Sequence, residues 1–530
     1  MSSGVVNAAA IIAAGNVASR VLGLVRETII AYLFGATGYV SIFRVAATII
    51  QTLYDFLVGG MVSAALVPVF SDFAAQDASR RDELWRVASV VINVLAIALA
   101  LAVLVLEIFA PQLVWILGSG YDPELQNAAV EMIRLILPAV FFLGMSGVIT
   151  GLLYSLRRFA FPAFTTAAYN AGIVIVALAF SPIFGITSLI VGVIIGSASQ
   201  VLLQLPGLRD MHYRFAIDFS HPALRKILRL YLPVVGGLSI SVVGVAIDRN
   251  LASHTGAQSL AWMQDATVLV QFPLGLVATA ISFAILPTLS AQTTEHRTQT
   301  TDAHHVLRSA FYVSQASHEF QSTLAFGIKL VLLLILPATI GLFVLARPIV
   351  ALLFEHGAFT ATDTYWTATA LQFYLMGLPF AAIDQPLVFA FYARKHTLLP
   401  NLVAFVGVAI YLVVALALTL VVPLGMIGLV IANSAMLTGH ALIMLWLTQT
   451  RLGGFGRQGV MALTAKVAVA SAALGAVAFV LLSMMENTAR VWQVVVPTVA
   501  AGAVYVALLW LLRVREAERV WQMVLARVRR

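Results

Sequence analysis

The stretch NVASRVLGLVRETIIAYLFG, residues 16–35, lies in an apolar run that begins near Val5 and is long enough to cross a bilayer, yet it carries Arg20, Arg26 and Glu27. A helix spans the hydrocarbon core with about 20 apolar residues. A charge at the middle of such a helix costs about 2.5–3.5 kcal/mol on insertion scales, so it faces water or a partner. Arg20 and Glu27 are seven residues apart and share a face, with Arg26 about a third of a turn away. One reading is structural: an ion pair that fixes helix packing, or side chains that snorkel near a helix end. The other is a polar functional site inside the membrane. Gly15 and Gly23, nearby, read as small residues that let helices approach.

Composition generalises the first point. Hydrophobic residues make up 61% of the 530, charged ones only 10%, and the mean hydropathy is +0.97. A soluble domain carries about a quarter charged residues, so the fold class expected is all-α, a polytopic membrane protein. Spans are expected at 5–35, 40–70, 86–110, 127–155, 160–181, 185–207, 228–254, 258–288, 320–346, 364–392, 399–422, 425–449, 460–484 and 491–512, each near the length of a tilted helix. The first is too long, and lacks the basic leader, for a removable signal peptide. With no cysteine in the chain, disulfides, thiol catalysis and cysteine-held metals are excluded.

Lys and Arg give an orientation. Arg80, Arg81 and Arg86, Arg157 and Arg158, Arg209 to Arg229, Arg297 and Arg308, Arg394 and Lys395, Arg451 and Arg457, and the arginines from Arg513 to Arg530 all fall on one side; Arg347 and Arg490 fall on the other. Both termini are therefore expected in the cytoplasm. The net charge of +8 is accounted for by this bias and by attraction to anionic membrane lipids, without nucleic acid.

The chain also repeats itself at an offset of about 218 to 240 residues. TGYVSIFRVAATII and AALVPVFSDF, from Thr37, resemble TGAQSLAWMQDATVL and FAILPTLSAQ, from Thr255, with Pro68 opposite Pro287. YSLRRFAFP (154–162) lines up with YARKHTLLP (392–400), Pro111 with Pro348 and Gly185 with Gly425. The expected organisation is an N-terminal lobe, 1–225, a C-terminal lobe, 226–450, and two further helices with a basic tail, 451–530. An even number of spans in each half makes the copies parallel, related by a pseudo-two-fold axis along the membrane normal, a plan that favours a transporter.

NVASRVLGLVRETIIAYLFGATG, GGMVSAALVPVFSDF and FYARKHTLLP together resemble the MurJ (MviN) family of lipid II flippases, within the superfamily of multidrug and polysaccharide exporters. The resemblance covers nearly the whole chain, and S-R-x-x-G-x-x-R at 19–26 is its most specific part. It implies two lobes, alternating access, and a cationic cavity for the diphosphate of an undecaprenyl-linked disaccharide-pentapeptide, in the bacterial plasma membrane, with cell-wall synthesis proteins as partners. By position Ser19, Arg20, Arg26 and Glu27 match the family's first-helix residues, and arginine's fixed fork of donors suits a diphosphate.

The chain also departs from the family's pattern. Ser41 and Tyr54 stand where the second helix commonly has an acid and an arginine, Val268 where the eighth has an arginine, and His396 where a cytoplasmic turn has an acid. Arg44 and Asp55, eleven residues apart on one face of the second helix, either place charge in the cavity or form a structural pair. Asp248, beside Arg249 in helix seven, is a candidate cation ligand, because some relatives bind sodium through an acid there, or else half of a boundary ion pair. Asp384 and Gln385, beside Pro386 in helix ten, are a second candidate, since a kink frees carbonyls. Asp265 and Lys329 face a cavity or each other, and Glu131 and Arg134 are expected at the interface.

The connection SAQTTEHRTQTTDAHHVLRSAFYVSQASHEF (290–320) holds His296, His304, His305 and His318 without firm ligand spacing, so no metal site is expected. Leu307, Phe311 and Val313 suggest an amphipathic surface helix there, and Val514, Val520 and Trp521 suggest another in the tail. No Walker loop, nucleophile elbow or H-E-x-x-H occurs, so no enzyme and no cofactor is expected. Sodium or the membrane potential would supply the drive. A lipid II flippase, an exporter of another polyprenyl-diphosphate-linked oligosaccharide and a non-transporting scaffold remain as readings.

Overall fold

In the computed structural model the described residues are 3–74, 78–299, 306–518 and 522, and among them the chain is helix and turn with no strand. The helices at the first seven expected spans are α1 (Ser3–Phe34), α2 (Gly38–Tyr54, continued to Val67–Phe73), α3 (Ala78–Ile108), α4 (Pro123–Ser155), α5 (Thr165–Phe184), α6 (Thr187–Gln204) and α7 (Pro222–Ser253). The next seven are α8 (Ser259–Gln292), α9 (Val306–Val344), α10 (Ala361–Ala393), α11 (Leu398–Val421), α12 (Met426–Arg451), α13 (Val460–Met484) and α14 (Arg490–Leu511). Eleven are long and apolar enough to cross a membrane; α1, α2 with its continuation, and α7 occupy the other three expected spans. Such a chain is an all-α polytopic membrane protein, because only helices or closed barrels satisfy their backbones in lipid.

The internal repeat is written into the backbone. α2 widens into π-helical turns at Asp55–Gly60, and α8 does so at Leu274–Thr279, 219 residues on. Gly185 (φ 53°, ψ −136°) and Gly425 (φ 57°, ψ −135°) make the same turn into α6 and α12. Arg157 (φ 59°) and Lys395 (φ 60°) share the left-handed region. Each closes a Schellman motif, which satisfies the last carbonyls of a helix: Arg158 and His396 donate their N–H groups to Leu153 and Phe391 at 2.8 and 3.0 Å, and Arg157 and Lys395 donate to Tyr154 and Tyr392 at 3.0 and 2.9 Å.

The chain divides into two compact units, one running to Ala261 and including His356–Thr360, the other comprising Trp262–Glu355 and Ala361–Arg530. Although the repeat begins its second copy at α7, that helix packs in the first unit. Its Ala223 and Ile227 are buried with Leu66, Phe70 and Leu84, and the Tyr231 hydroxyl donates to the Phe56 carbonyl at 2.7 Å. Apolar contact, rather than sequence symmetry, sets that membership. In the second unit α13 and α14 belong to the core. Val467, Ala470, Leu474, Tyr505 and Leu509 are buried with Leu324, Ile328 and Leu332 of α9, and the Tyr505 hydroxyl donates to the Leu333 carbonyl at 2.6 Å.

Two surface-helix expectations fall partly outside what is described. His304 and His305 lie outside the described residues, as do Val520 and Trp521, and the side chains of His296, Leu307, Phe311 and Val313 are likewise outside them. Val514, expected to face lipid, is instead buried in the second unit's core at 3% exposure, because the left-handed turn at Arg513 folds the chain back at the end of α14.

Candidate functional site

The first unit gathers Arg26 and Glu27 of α1 into one cluster with Arg44 of α2. Glu27 is completely buried, and its two carboxylate oxygens serve different arginines. Arg26 donates Nε to Oε1 at 3.0 Å and pairs there through Nη2 as well. Arg44 of α2 is 7% exposed and pairs with Oε2. A buried carboxylate needs such partners, since desolvation of a lone charge costs several kcal/mol. α5 completes the group: Arg26 Nη1 donates to Asn170 Oδ1 at 3.0 Å, and Asn170 Nδ2 donates to the Ser19 carbonyl at 3.1 Å. Thus Ser19 enters through its backbone and Glu27 as the common acceptor, with Arg26 one-quarter exposed beside them.

Close helix approach makes this possible. A methyl group on Gly15 would collide with the Ala163 carbonyl oxygen ahead of α5, whereas one on Gly23 would lie 3.6 Å from Asn170 Nδ2, an ordinary contact. Of the two expected packing glycines, Gly15 is therefore the one whose size is demanded. Arg20, half-buried, stands two turns before Glu27 on the same face, about 10 Å along the axis.

Arg44 and Asp55 do share a face, but eleven residues of rise separate them by about 16 Å. Arg44 meets Glu27, whereas Asp55 is exposed at the start of the π turn and accepts from Gln51 Nε2 at 3.0 Å. The structure thus brings Ser19, Arg26, Glu27 and Arg44 together and leaves Asp55 apart from them. Between Arg44 and Asp55, Thr48 Oγ1 donates to the Arg44 carbonyl at 2.8 Å and accepts from Arg249 Nε of α7 at 3.2 Å. Arg249 also holds Asp248 at 3.3 Å, so the candidate cation ligand of α7 carries an ion pair.

In the second unit Asp384 of α10 lies 2.9 Å from His440 Nδ1 of α12, and Gln385 accepts from Thr279 Oγ1 at 3.0 Å beside the π turn of α8. Lys329 pairs with Glu516 at 2.7 Å rather than with Asp265, which is buried. Glu131 and Arg134 are exposed, as expected at an interface.

Asn170 and His440 are the partners that reading the sequence missed. Each is a polar side chain within an apolar helix, in TTAAYNAGIVIV and MLTGHALIM, and that is the signal that would have found them. Arg249 was legible only as half of a boundary pair; its reach to α2 depends on the fold.

The cluster's chemistry follows from its composition. Arg26 and Arg44 share the one carboxylate of Glu27, so these three side chains together carry net positive charge. Glu27 and Asn170 orient the Arg26 guanidinium while leaving part of it exposed, which is the arrangement that receives an anion with planar, forked geometry.

Comparison with known proteins gives the family. A protein-family model described as lipid II flippase MurJ matches residues 30–499. That stretch starts just beyond the charged part of α1. A protein of Burkholderia cenocepacia named lipid II flippase MurJ is 30% identical over 402 residues, 74% of each chain. One of Haemophilus influenzae, named probable lipid II flippase MurJ, is 27% identical over 520 residues, 94% of this chain and 98% of the relative. Among solved structures, a lipid II flippase MurJ in an inward closed conformation matches with a TM-score of 0.77 at 23% identity, over 94% of this chain and 97% of the other. An inward-facing multidrug resistance transporter of the MATE family matches with a TM-score of 0.62 at 16% identity, over 83% and 96%.

Proposed function

Because the chain belongs to the lipid II flippase MurJ family, we propose that it flips undecaprenyl-diphosphate-linked disaccharide-pentapeptide from the inner to the outer leaflet of the bacterial plasma membrane for cell-wall synthesis, by alternating access and with both termini in the cytoplasm. The observation that carries the site is the buried Glu27 holding Arg26 and Arg44. Arg20 and Arg26 receive the diphosphate. Its oxygens take the exposed donors of Arg26, while Glu27 keeps that side chain and Arg44 in place. Arg44 thus supplies long-range positive charge, and Asp55 lies aside from the contact. The headgroup then crosses through the protein while the polyprenyl tail stays in lipid.

The membrane potential drives the cycle. Moving negative charge outward across an inside-negative membrane is downhill by about 2.3 kcal/mol per charge per 100 mV. A sodium ion is the weaker choice of driver. Asp248 and Asp384 already face Arg249 and His440.

The test is complementation of bacteria depleted of their own lipid II flippase, with lipid II scored in the outer leaflet. Wild-type protein restores it, and a folded, membrane-inserted Arg20→Ala/Arg26→Ala double variant does not. No rescue by the wild type would sink the lipid II assignment. The second reading, another polyprenyl-diphosphate-linked oligosaccharide as cargo, draws on Ser41, Tyr54 and Val268 at positions where the family has charge. It requires that the same double variant abolish transport of that cargo. A non-transporting scaffold would tolerate the double variant.

A further inference from the structure

The segment joining α6 to α7 lies on the arginine-rich side of the protein and is neither helix nor loose loop. Past Asp210, held by both Arg158 Nη nitrogens at 2.5 and 2.8 Å, residues 211–218 form no regular secondary structure. It is strapped along one face of α3, where Ser89 and Asn93 are a turn apart. The Arg214 N–H donates to Ser89 Oγ at 3.2 Å, Asn93 Nδ2 donates to the Ala216 carbonyl at 2.9 Å, and the Tyr213 hydroxyl donates to Asn93 Oδ1 at 2.5 Å.

Tyr213, Phe215, Ile217 and Phe219 are 52%, 76%, 44% and 64% exposed. Four large apolar side chains in a row on an exposed strap mark a binding surface. Aromatic residues concentrate at the level where lipid headgroups meet acyl chains, and Tyr213, Phe215 and Phe219 offer that chemistry beside the first turns of α3.

Next to it is a cavity of about 310 Å³ lined by Asp82, Glu83, Trp85 and Arg86 of α3 and by His212 and Arg214 of the strap. It presents two guanidinium groups and two carboxylates around a buried indole, at the small end of the range for ligand pockets. We propose that this pocket holds the headgroup of a phospholipid with both a phosphate and a primary ammonium, as in phosphatidylethanolamine, and that the strap carries its acyl chains. Arg86 and Arg214 take the phosphate, while Asp82 and Glu83 take the ammonium N–H donors. An anionic headgroup without an amine meets the two carboxylates, which repel it. A choline headgroup has no N–H to donate and favours a cage of several aromatic faces, whereas among the described residues the pocket's lining includes one aromatic side chain, Trp85.

The test is native mass spectrometry of the full-length protein titrated with phosphatidylethanolamine, phosphatidylglycerol and phosphatidylcholine of identical acyl chains. The amine lipid is expected to bind about tenfold tighter than either of the others, the size of one charge-assisted contact. Asp82→Asn/Glu83→Gln reverses the order in favour of phosphatidylglycerol, a gain of binding that misfolding cannot mimic. Arg86→Ala/Arg214→Ala weakens binding of all three lipids, because each carries the phosphate; unchanged affinities in that variant overturn the proposal. Equal binding of the three lipids by the wild type, or an unchanged order in the acid variant, overturns the proposal. So does competition by water-soluble glycerophosphoethanolamine at the lipid's own concentration, which would make the ligand a free solute.

Discussion

Glu27 is the residue on which the cluster of the first unit depends. It is fully buried between two arginines, one of them nearly as buried, so its removal strands positive charge in an apolar setting. Breaking a buried pair from one side costs about 3–5 kcal/mol. Glu27→Gln is accordingly expected to lower the melting temperature of the detergent-solubilised protein sharply, whereas Arg20→Ala, at a half-buried position, leaves it nearly unchanged; equal shifts would refute the division of roles. Asp384 and His440 form a separate pair. A double-mutant cycle with Asp384→Ala and His440→Ala should show a coupling of about 0.5–3 kcal/mol, the range for side chains in contact, and additive losses would show that the contact carries no energy.

At the scale of elements, the approach of α1 to the turn before α5 depends on Gly15. Gly15→Ala is expected to destabilise the first unit by forcing a backbone shift, a cost of about 1–3 kcal/mol for overpacking. Gly23→Ala should be neutral or mildly stabilising, since alanine is the better helix former by about 1 kcal/mol. Comparing the two variants' melting temperatures checks this. At the foot of α4, Arg158 holds Asp210 and the Gly207 carbonyl, and the guanidinium keeps the Asp210 carboxyl below the usual carboxylate range. A depressed folded pKa means that this contribution is fully present above the unfolded value of about 3.9 and is lost as pH falls through the folded one. Asp210→Asn should therefore flatten the acid limb of the stability profile below about pH 4 and leave the neutral region's slope unaltered.

For the whole molecule, the two compact units differ from the repeat. The repeat is visible as paired π turns, paired left-handed glycines and paired Schellman caps, yet α7 packs with the helices before it. α13 and α14, which look appended in the sequence, share the second unit's core. Truncation after Thr450 is therefore expected to leave α9 with an uncovered apolar face and to yield aggregated protein in size-exclusion chromatography. Tyr505→Phe, which strips only the hydroxyl from the buried contact with Leu333, should cost about 1–3 kcal/mol by leaving that carbonyl unsatisfied.

The sequence by itself determined the class, the helical runs at the fourteen expected spans and the repeat. Each follows from local quantities: hydropathy over a span, the cost of exposed backbone in lipid, and turn residues recurring at one offset. It also singled out Ser19, Arg20, Arg26, Glu27 and Arg44 as charge or polarity out of place in apolar helices. Only the tertiary structure decided which of them meet. Helical spacing gives a shared face but not a shared level on neighbouring helices, so Arg44 and Asp55, alike in sequence, separate into one residue bound to Glu27 and one exposed. Asn170 joins the cluster from 144 residues away, and His440 reaches Asp384 across 56. Pairings of that kind are fixed by how helices pack, which depends on the whole surface of each helix and not on the residues that finally touch.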